Sequence, residues 1–423
     1  MGRVAVTSVG TVRWNFILNV LDGAFFALAM SIVSRTTVLP ILVKRIGGGN
    51  TAIALIPVLW FVGFNLPQLL IVGRAERAPR KKTLLLRTAL VQRLPWLLLA
   101  LLTFYVVEDA STAVGLLLFY AVFVLTAVGG SINMPVWFDL ISKVTPVHMR
   151  GRLFALRAVL GALLGILGGW VVEIVLKAIE YPDSFALLMG LAFALTMVSY
   201  VFLVMLREET DEEHDGAPRF EGLLRRIPLI LKEDANFRNF LVGQVLIVVA
   251  LLAEAFFVID AIERFALPES YAGRFVVVMM ARLTVGGLVF GALADRFGHR
   301  LNLVLASATM VGACVAAITA PVVEVYYLAF AGVALALGLR TISRLPIVAE
   351  MCTAQDRPIY VALTNLVTTP FLLFGLLAGW VADRLGYDVV FGLAGLIALT
   401  ACFWLAFIVR EPRNENLPTA RIR

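Results

Sequence analysis

Twelve apolar runs, each close to the roughly 20 residues that a helix needs to cross hydrocarbon, dominate this chain of 423 residues. They lie near 15–38, 52–72, 84–105, 112–134, 155–178, 185–206, 240–262, 271–293, 301–320, 324–345, 359–381 and 388–409. A backbone in lipid must satisfy its N–H and C=O groups internally, so runs of this length predict helices. The mean hydropathy of +0.92 excludes an ordinary soluble domain, and so does a hydrophobic content of 61%, against about half in soluble domains. The expected fold class is an all-α polytopic membrane protein. The first run extends toward 45 on a generous reading. It is long and lacks a small-residue cleavage site, so it is expected to anchor the chain and not to be removed.

Lys and Arg cluster in alternate connections, on the side that also holds both termini. The positive-inside rule then places both termini in the cytoplasm. The net charge of +7 is a topology signal and no argument for nucleic acid. Cys314, Cys352 and Cys402 sit in spans or at an inner end and predict free thiols. No G-x(4)-G-K-[ST] phosphate loop occurs, which leaves ATP-driven pumping without support. His148, His214 and His299 all fall in inner loops, and no metal-ligand spacing appears. No cofactor, metal or catalytic residue is therefore expected. A membrane enzyme would have to build its site from Asp22, Glu254 and a few amides.

Polar residues inside spans are costly and usually face a partner or a water-filled cavity. Asn15, Asn19 and Asp22 share one face of the first span. Two readings are open for Asp22: a proton or substrate site, or an ion pair that locks helices. Glu254 and Gln244 lie in the seventh span and Arg282 in the eighth. By helical rise Glu254 is about 21 Å and Arg282 about 14 Å from the inner face, so either Glu254 or Asp22 is a candidate partner for Arg282. Gln68, Asn365 and Thr368 are further candidate liners, although threonines also bond their own helix backbone. Arg93, at similar depth, reads as a structural pairing.

Between the eighth and ninth spans stands Gly291-Ala292-Leu293-Ala294-Asp295-Arg296-Phe297-Gly298-His299-Arg300. A weakened copy, with Glu76 and Arg77 in the acid and base places, follows the second span. Gly-x-x-x-acid also closes the fifth and eleventh spans, at Gly169–Glu173 and Gly379–Asp383. Alternating polarity of such copies is what nested inverted repeats produce. Ala24-Phe25-Phe26 and Leu39-Pro40 return as Ala255-Phe256-Phe257 and Leu267-Pro268, which points to duplicated halves. Pro135 precedes Asp139 as Pro346 precedes Glu350, and Glu350 stands seven residues before Arg357.

The G-x-L-A-D-R-x-G-x-R turn resembles the helix-joining signature of the major facilitator superfamily (MFS) of secondary transporters, and the spans and two-half layout extend the resemblance to the whole chain. The resemblance implies twelve helices in two pseudo-symmetric six-helix bundles with a central site. It divides the chain into a bundle at 1–206, a cytoplasmic linker with an amphipathic helix at 207–239, and a bundle at 240–423. It also implies an inner gate of Gly291, Asp295, Arg296, Gly298, Arg300, Glu76, Arg77, Asp139, Glu350 and Arg357. The function expected is alternating-access transport of a small organic solute, with protons as coupling ion, by symport or antiport. An uncoupled carrier and a non-transporting receptor or enzyme are the alternatives. A monomer in membrane lipid, in the plasma (bacterial inner) membrane, completes the expectation.

Overall fold

The computed structural model describes residues 9–65, 67, 80–208, 228, 230–353 and 356–414. Secondary structure among them is helical throughout. Ten helices among the described residues are long and apolar enough to cross a membrane. Two further predicted spans, 52–72 and 271–293, are helical at Asn50–Asn65 and Tyr271–Phe297. Gln68, Glu76, Arg77 and most of the predicted linker helix lie outside the described residues.

The chain divides into two compact units, Met1–Ser34 with Gly63–Pro218 and Arg35–Val62 with Arg219–Arg423. The first contains α1 (Val9–Ile32), α4 (Lys81–Tyr105), α5 (Thr112–Val144), α6 (Val147–Ala178) and α7 (Asp183–Met205). Helix α1 packs on α6 and α7, and α4 on α5 and α7. Leu18, Leu85, Val136, Leu140, Leu153 and Leu203 form a shared apolar core. Helix α5 runs on through Pro135 to Val144. Pro135 is thus inside a helix, where its missing N–H costs one backbone bond without ending the element.

The second unit contains α2 (Val38–Arg45), α3 (Asn50–Asn65) as far as Val62, α8 (Ala235–Leu251), α9 (Phe256–Arg264), α10 (Tyr271–Phe297), α11 (His299–Thr319), α12 (Val323–Met351), α13 (Arg357–Thr368), α14 (Phe374–Leu385) and α15 (Tyr387–Phe407). Helix α11 packs on α12 and α15, α10 on α12, and α8 on α15. Phe275 stacks on Phe330 at 3.9 Å within this core. Two predicted spans are broken by single 3-10 turns, at Leu252–Ala255 between α8 and α9 and at Pro370–Leu373 between α13 and α14. Pro370 explains the second break, since it lacks an N–H and its ring crowds the preceding turn. The breaks meet in one apolar cluster of Val58, Val248, Leu252 and Leu372, with Phe61 and Val62 packed against it. The residues flanking both turns keep right-handed helical dihedrals, so each span continues through a local tightening of its helix.

Candidate functional site

The 3-10 turn of the seventh span carries Glu254, which is 2% exposed. Its Oε1 lies 3.6 Å from the Arg35 guanidinium, and its Oε2 is buried without a hydrogen-bond partner among the described residues. Arg35 stands over the rings of Trp60 and Phe61, at 5.6 and 5.2 Å. From α12, Arg340 comes within 6.0 Å of the Phe61 ring. It lies in electrostatic reach of Glu254, Arg35 and Arg344. The Arg340 Nε is buried and finds no acceptor among the described residues. One turn along, Arg344 donates to Asn365 Oδ1 of α13 at 2.9 Å. All of these residues belong to the second unit. They join a buried carboxylate, three guanidiniums, a neutral amide and two aromatic faces beside two helix breaks.

Asp22 occupies a different setting, inside the first unit. It pairs with Arg157 at 3.0 Å and accepts from Ser199 Oγ at 2.7 Å. Arg93 stands 3.9 Å away, donates to Ser199 at 3.0 Å, and spends its other donors on the carbonyls of Thr196 and Ala89. Arg157 also donates to the Asn19 carbonyl and lies 4.8 Å from the Trp137 ring centroid. This cluster is closely satisfied, as a structural lock requires. The expected partner of Asp22 or Glu254, Arg282, is exposed. Arg157 and Arg93 serve Asp22 in its place, while Arg35 and Arg340 serve Glu254.

Other expected liners divide. Asn365 joins the arginine cluster through Arg344. Thr368 bonds the Thr364 carbonyl of its own helix at 2.8 Å. Asn19 and Gln244 are fully buried, and their side-chain amides lack partners among the described residues.

Acidic and basic side chains also close the ends of the second unit. At one end Asp383 accepts the backbone N–H groups of Asn50 and Thr51 at 3.0 and 3.2 Å, capping α3. Gly379 makes this approach possible, because a Cβ there would lie 2.6 Å from the Thr51 Cα. Lys44–Glu263 at 2.6 Å, Arg45–Glu269 at 2.5 Å and a Tyr387–Asn50 hydrogen bond at 2.8 Å stand nearby. At the other end, Gly298 takes φ +92° between α10 and α11. Two residues on, the Arg300 peptide N–H donates to Glu411 Oε2 at 3.1 Å, and the Arg300 side chain donates to the Val409 carbonyl at 2.8 Å. Burial, with Glu350 adding to it, pushes the Glu411 carboxyl above its ordinary range, against Arg300 and Arg413.

The gate expectations are partly redrawn. Glu350 meets Arg413 at 2.7 Å and His299 at 3.9 Å, whereas Arg357 is exposed. Glu350 therefore meets the C-terminal segment and, through His299, the turn between α10 and α11. Asp139 pairs with Lys81 in the first unit. Arg296 is exposed and lies over the Phe297 ring, and Gly291 has open space where a Cβ would point. The side chain of Asp295 falls outside the described residues.

Arg340 and Arg344 were not expected at a site. The predicted span 324–345 leaves both near its inner end, where basic residues are ordinary. Helix α12 continues to Met351 and carries them inward. Their spacing of four inside an apolar helix was the signal available.

Residues 258–422 match the family model of the Major Facilitator Superfamily. No curated protein matches the sequence. Among solved structures, a mutant of the nucleoside transporter NupG is similar at a TM-score of 0.72 and 11% identity, over 95% of this chain and 100% of that one. A D-xylose–proton symporter is similar at 0.71 and 13%, over 96% and 100%. A bacterial homologue of the human lysosomal transporter Spinster, inward-facing and unoccupied, is similar at 0.65 and 13%, over 96% and 94%. At these identities the likeness is one of fold.

Proposed function

We propose that this chain, whose residues 258–422 match the Major Facilitator Superfamily model and whose fold resembles that of solved transporters, moves a small organic solute across a membrane by alternating access, coupled to protons. The observation that carries the reading is Glu254. A carboxylate buried in a 3-10 turn of its helix, with one oxygen unpartnered among the described residues and the Arg35 guanidinium at the other, is expensive to hold in a static scaffold. It is suited to a cycle in which the carboxylate is alternately charged and paired, or neutral and released. Proton-coupled symporters share the fold, the D-xylose–proton symporter among them.

Asp22 has the opposite character. Its lone pairs are occupied by Arg157 and Ser199, with Arg93 behind them, so it serves the architecture of the first unit. We place both termini in the cytoplasm, on the distribution of basic residues.

The test is proton movement in vesicles. Purified protein is reconstituted in liposomes loaded with a pH-sensitive dye and offered carboxylates, sugars, nucleosides and organic cations in turn. Solute-dependent proton flux, absent from protein-free vesicles, is expected. Solute flux with no accompanying proton movement would leave the uncoupled carrier. Saturable binding without flux of any solute would leave the receptor.

A further inference from the structure

We infer that the solute is a small organic anion and that Arg35, Arg340 and Arg344 bind it. This deepens the transporter reading and rests on it for the movement of the ligand, though not for its binding. The argument begins with charge. Among the described residues, the cluster sets three guanidiniums against one carboxylate, Glu254. Two positive charges are left over in a unit built of membrane-spanning helices. Uncompensated charge at such depth is costly, and arginines that persist there pair with an anion or face water until one arrives.

Hydrogen bonding makes the same point independently. Arg93 in the first unit shows what a structural arginine looks like: its donors go to Thr196, Ala89 and Ser199, and it is 2% exposed. Arg340 and Arg344 are half-buried, and the Arg340 Nε is buried with no acceptor. Arg344 has one neutral acceptor, Asn365. The donors left over form planar forks, and a fork of N–H groups matches the two oxygens of a carboxylate or phosphate.

Shape adds the rest of the ligand. Trp60 and Phe61 are half-buried and stand beside Arg35 and Arg340. Such faces suit an apolar or ring-bearing body attached to the anionic group. Two leftover charges match a dianion, so a dicarboxylate or a phosphate monoester balances the site while Glu254 stays ionised. Anion and Glu254 compete for the same guanidiniums, which links occupancy of the site to the state of that carboxylate.

The experiment is a thermal-shift titration of the full chain in detergent at one pH. Succinate, phthalate and phenyl phosphate are compared with succinamide, phthalamide and phenol, and with benzyltrimethylammonium, at millimolar concentration. At least one anion is expected to raise Tm while its neutral counterpart does not. Arg340→Gln should weaken that apparent affinity about tenfold or more. Arg340→Lys, which keeps the charge and loses the fork, should fall between, and Arg384→Gln, an exposed arginine of α14, should bind as the parent does. Should Arg340→Gln fail to fold, the parallel Arg344→Gln titration supplies the same comparison. A panel in which no anion shifts Tm overturns the inference. So does a shift by neutral or cationic members alone, or an anion shift that persists in both glutamine variants. Anion binding without flux in liposomes would uphold the site and sink the transporter reading; flux of a neutral solute alone would do the reverse.

Discussion

The Asp383 carboxylate caps the N-terminus of α3 by accepting the backbone N–H of Asn50 at 3.0 Å. The interaction joins residues far apart in sequence and uses a negative charge where a helix N-terminus favours one. It also assigns a role to one copy of the Gly-x-x-x-acid pattern, with Gly379 setting the distance and Asp383 making the bond. Asp383→Asn is expected to keep an acceptor but lose its charge, lowering stability by about 1 kcal/mol. Gly379→Ala should cost more, since its Cβ meets the Thr51 backbone and not a movable side chain. Melting curves in detergent check both, and parent-like curves for the pair would remove the cap from the account.

Arg93 is expected to behave as a structural residue. Replacing it with Gln leaves Asp22 with one guanidinium fewer and Ser199 without its donor-side partner. Breaking a buried pair from one side costs about 3–5 kcal/mol. A lower midpoint of unfolding is expected, with ligand affinity in the surviving protein unchanged. Loss of affinity at unchanged stability would move Asp22 and Arg93 from scaffold to site.

The turn between α10 and α11 makes a sharper stability test. Gly298 has φ +92° and ψ 161°, a region that L side chains rarely adopt, at a cost of about 1–3 kcal/mol. A Cβ there would also overlap the Glu411 carboxyl. Gly298→Ala should therefore destabilise, and adding Glu411→Ala should restore only the steric part. Full restoration in the double variant would mean the backbone strain is negligible.

Glu411 gives a pH signature. Its folded carboxyl is held above its ordinary value, mainly by burial, so the folded state binds the proton more tightly than the unfolded chain. Stability from this group is present below the ordinary carboxyl range and is lost as pH rises through the raised value. Glu411→Gln, which keeps an acceptor for Arg300, should flatten the fall in Tm just above the ordinary glutamate range. An unchanged pH profile would contradict the burial assignment.

Much of the fold was legible because membrane spans announce themselves by length. Every described helix overlaps a predicted apolar run or its flank, since an apolar run of about 20 residues satisfies its backbone in lipid as a helix. The breaks were harder. Pro370 marks one in the sequence, but Leu252–Ala255 contains no proline and is held by packing on residues distant in the chain. The site was half legible. Glu254 stood out as a carboxylate in an apolar run, whereas its partners could not be read from depth alone. Arg282 has a suitable depth but is exposed, and Arg35, Arg340 and Arg344 supply the charges instead. Periodicity places a residue along a helix; which face meets which neighbour is decided by tertiary packing.

Glu254 is where the account is most exposed. The most direct measurement is accumulation of the organic anion that best stabilises the parent protein, in liposomes under an imposed pH gradient, for the parent and for Glu254→Gln. The parent should concentrate the anion and lose that ability when a protonophore collapses the gradient. Glu254→Gln should still exchange internal for external anion yet fail to concentrate it. If Glu254→Gln accumulates the anion as the parent does, the buried carboxylate is not the coupling group.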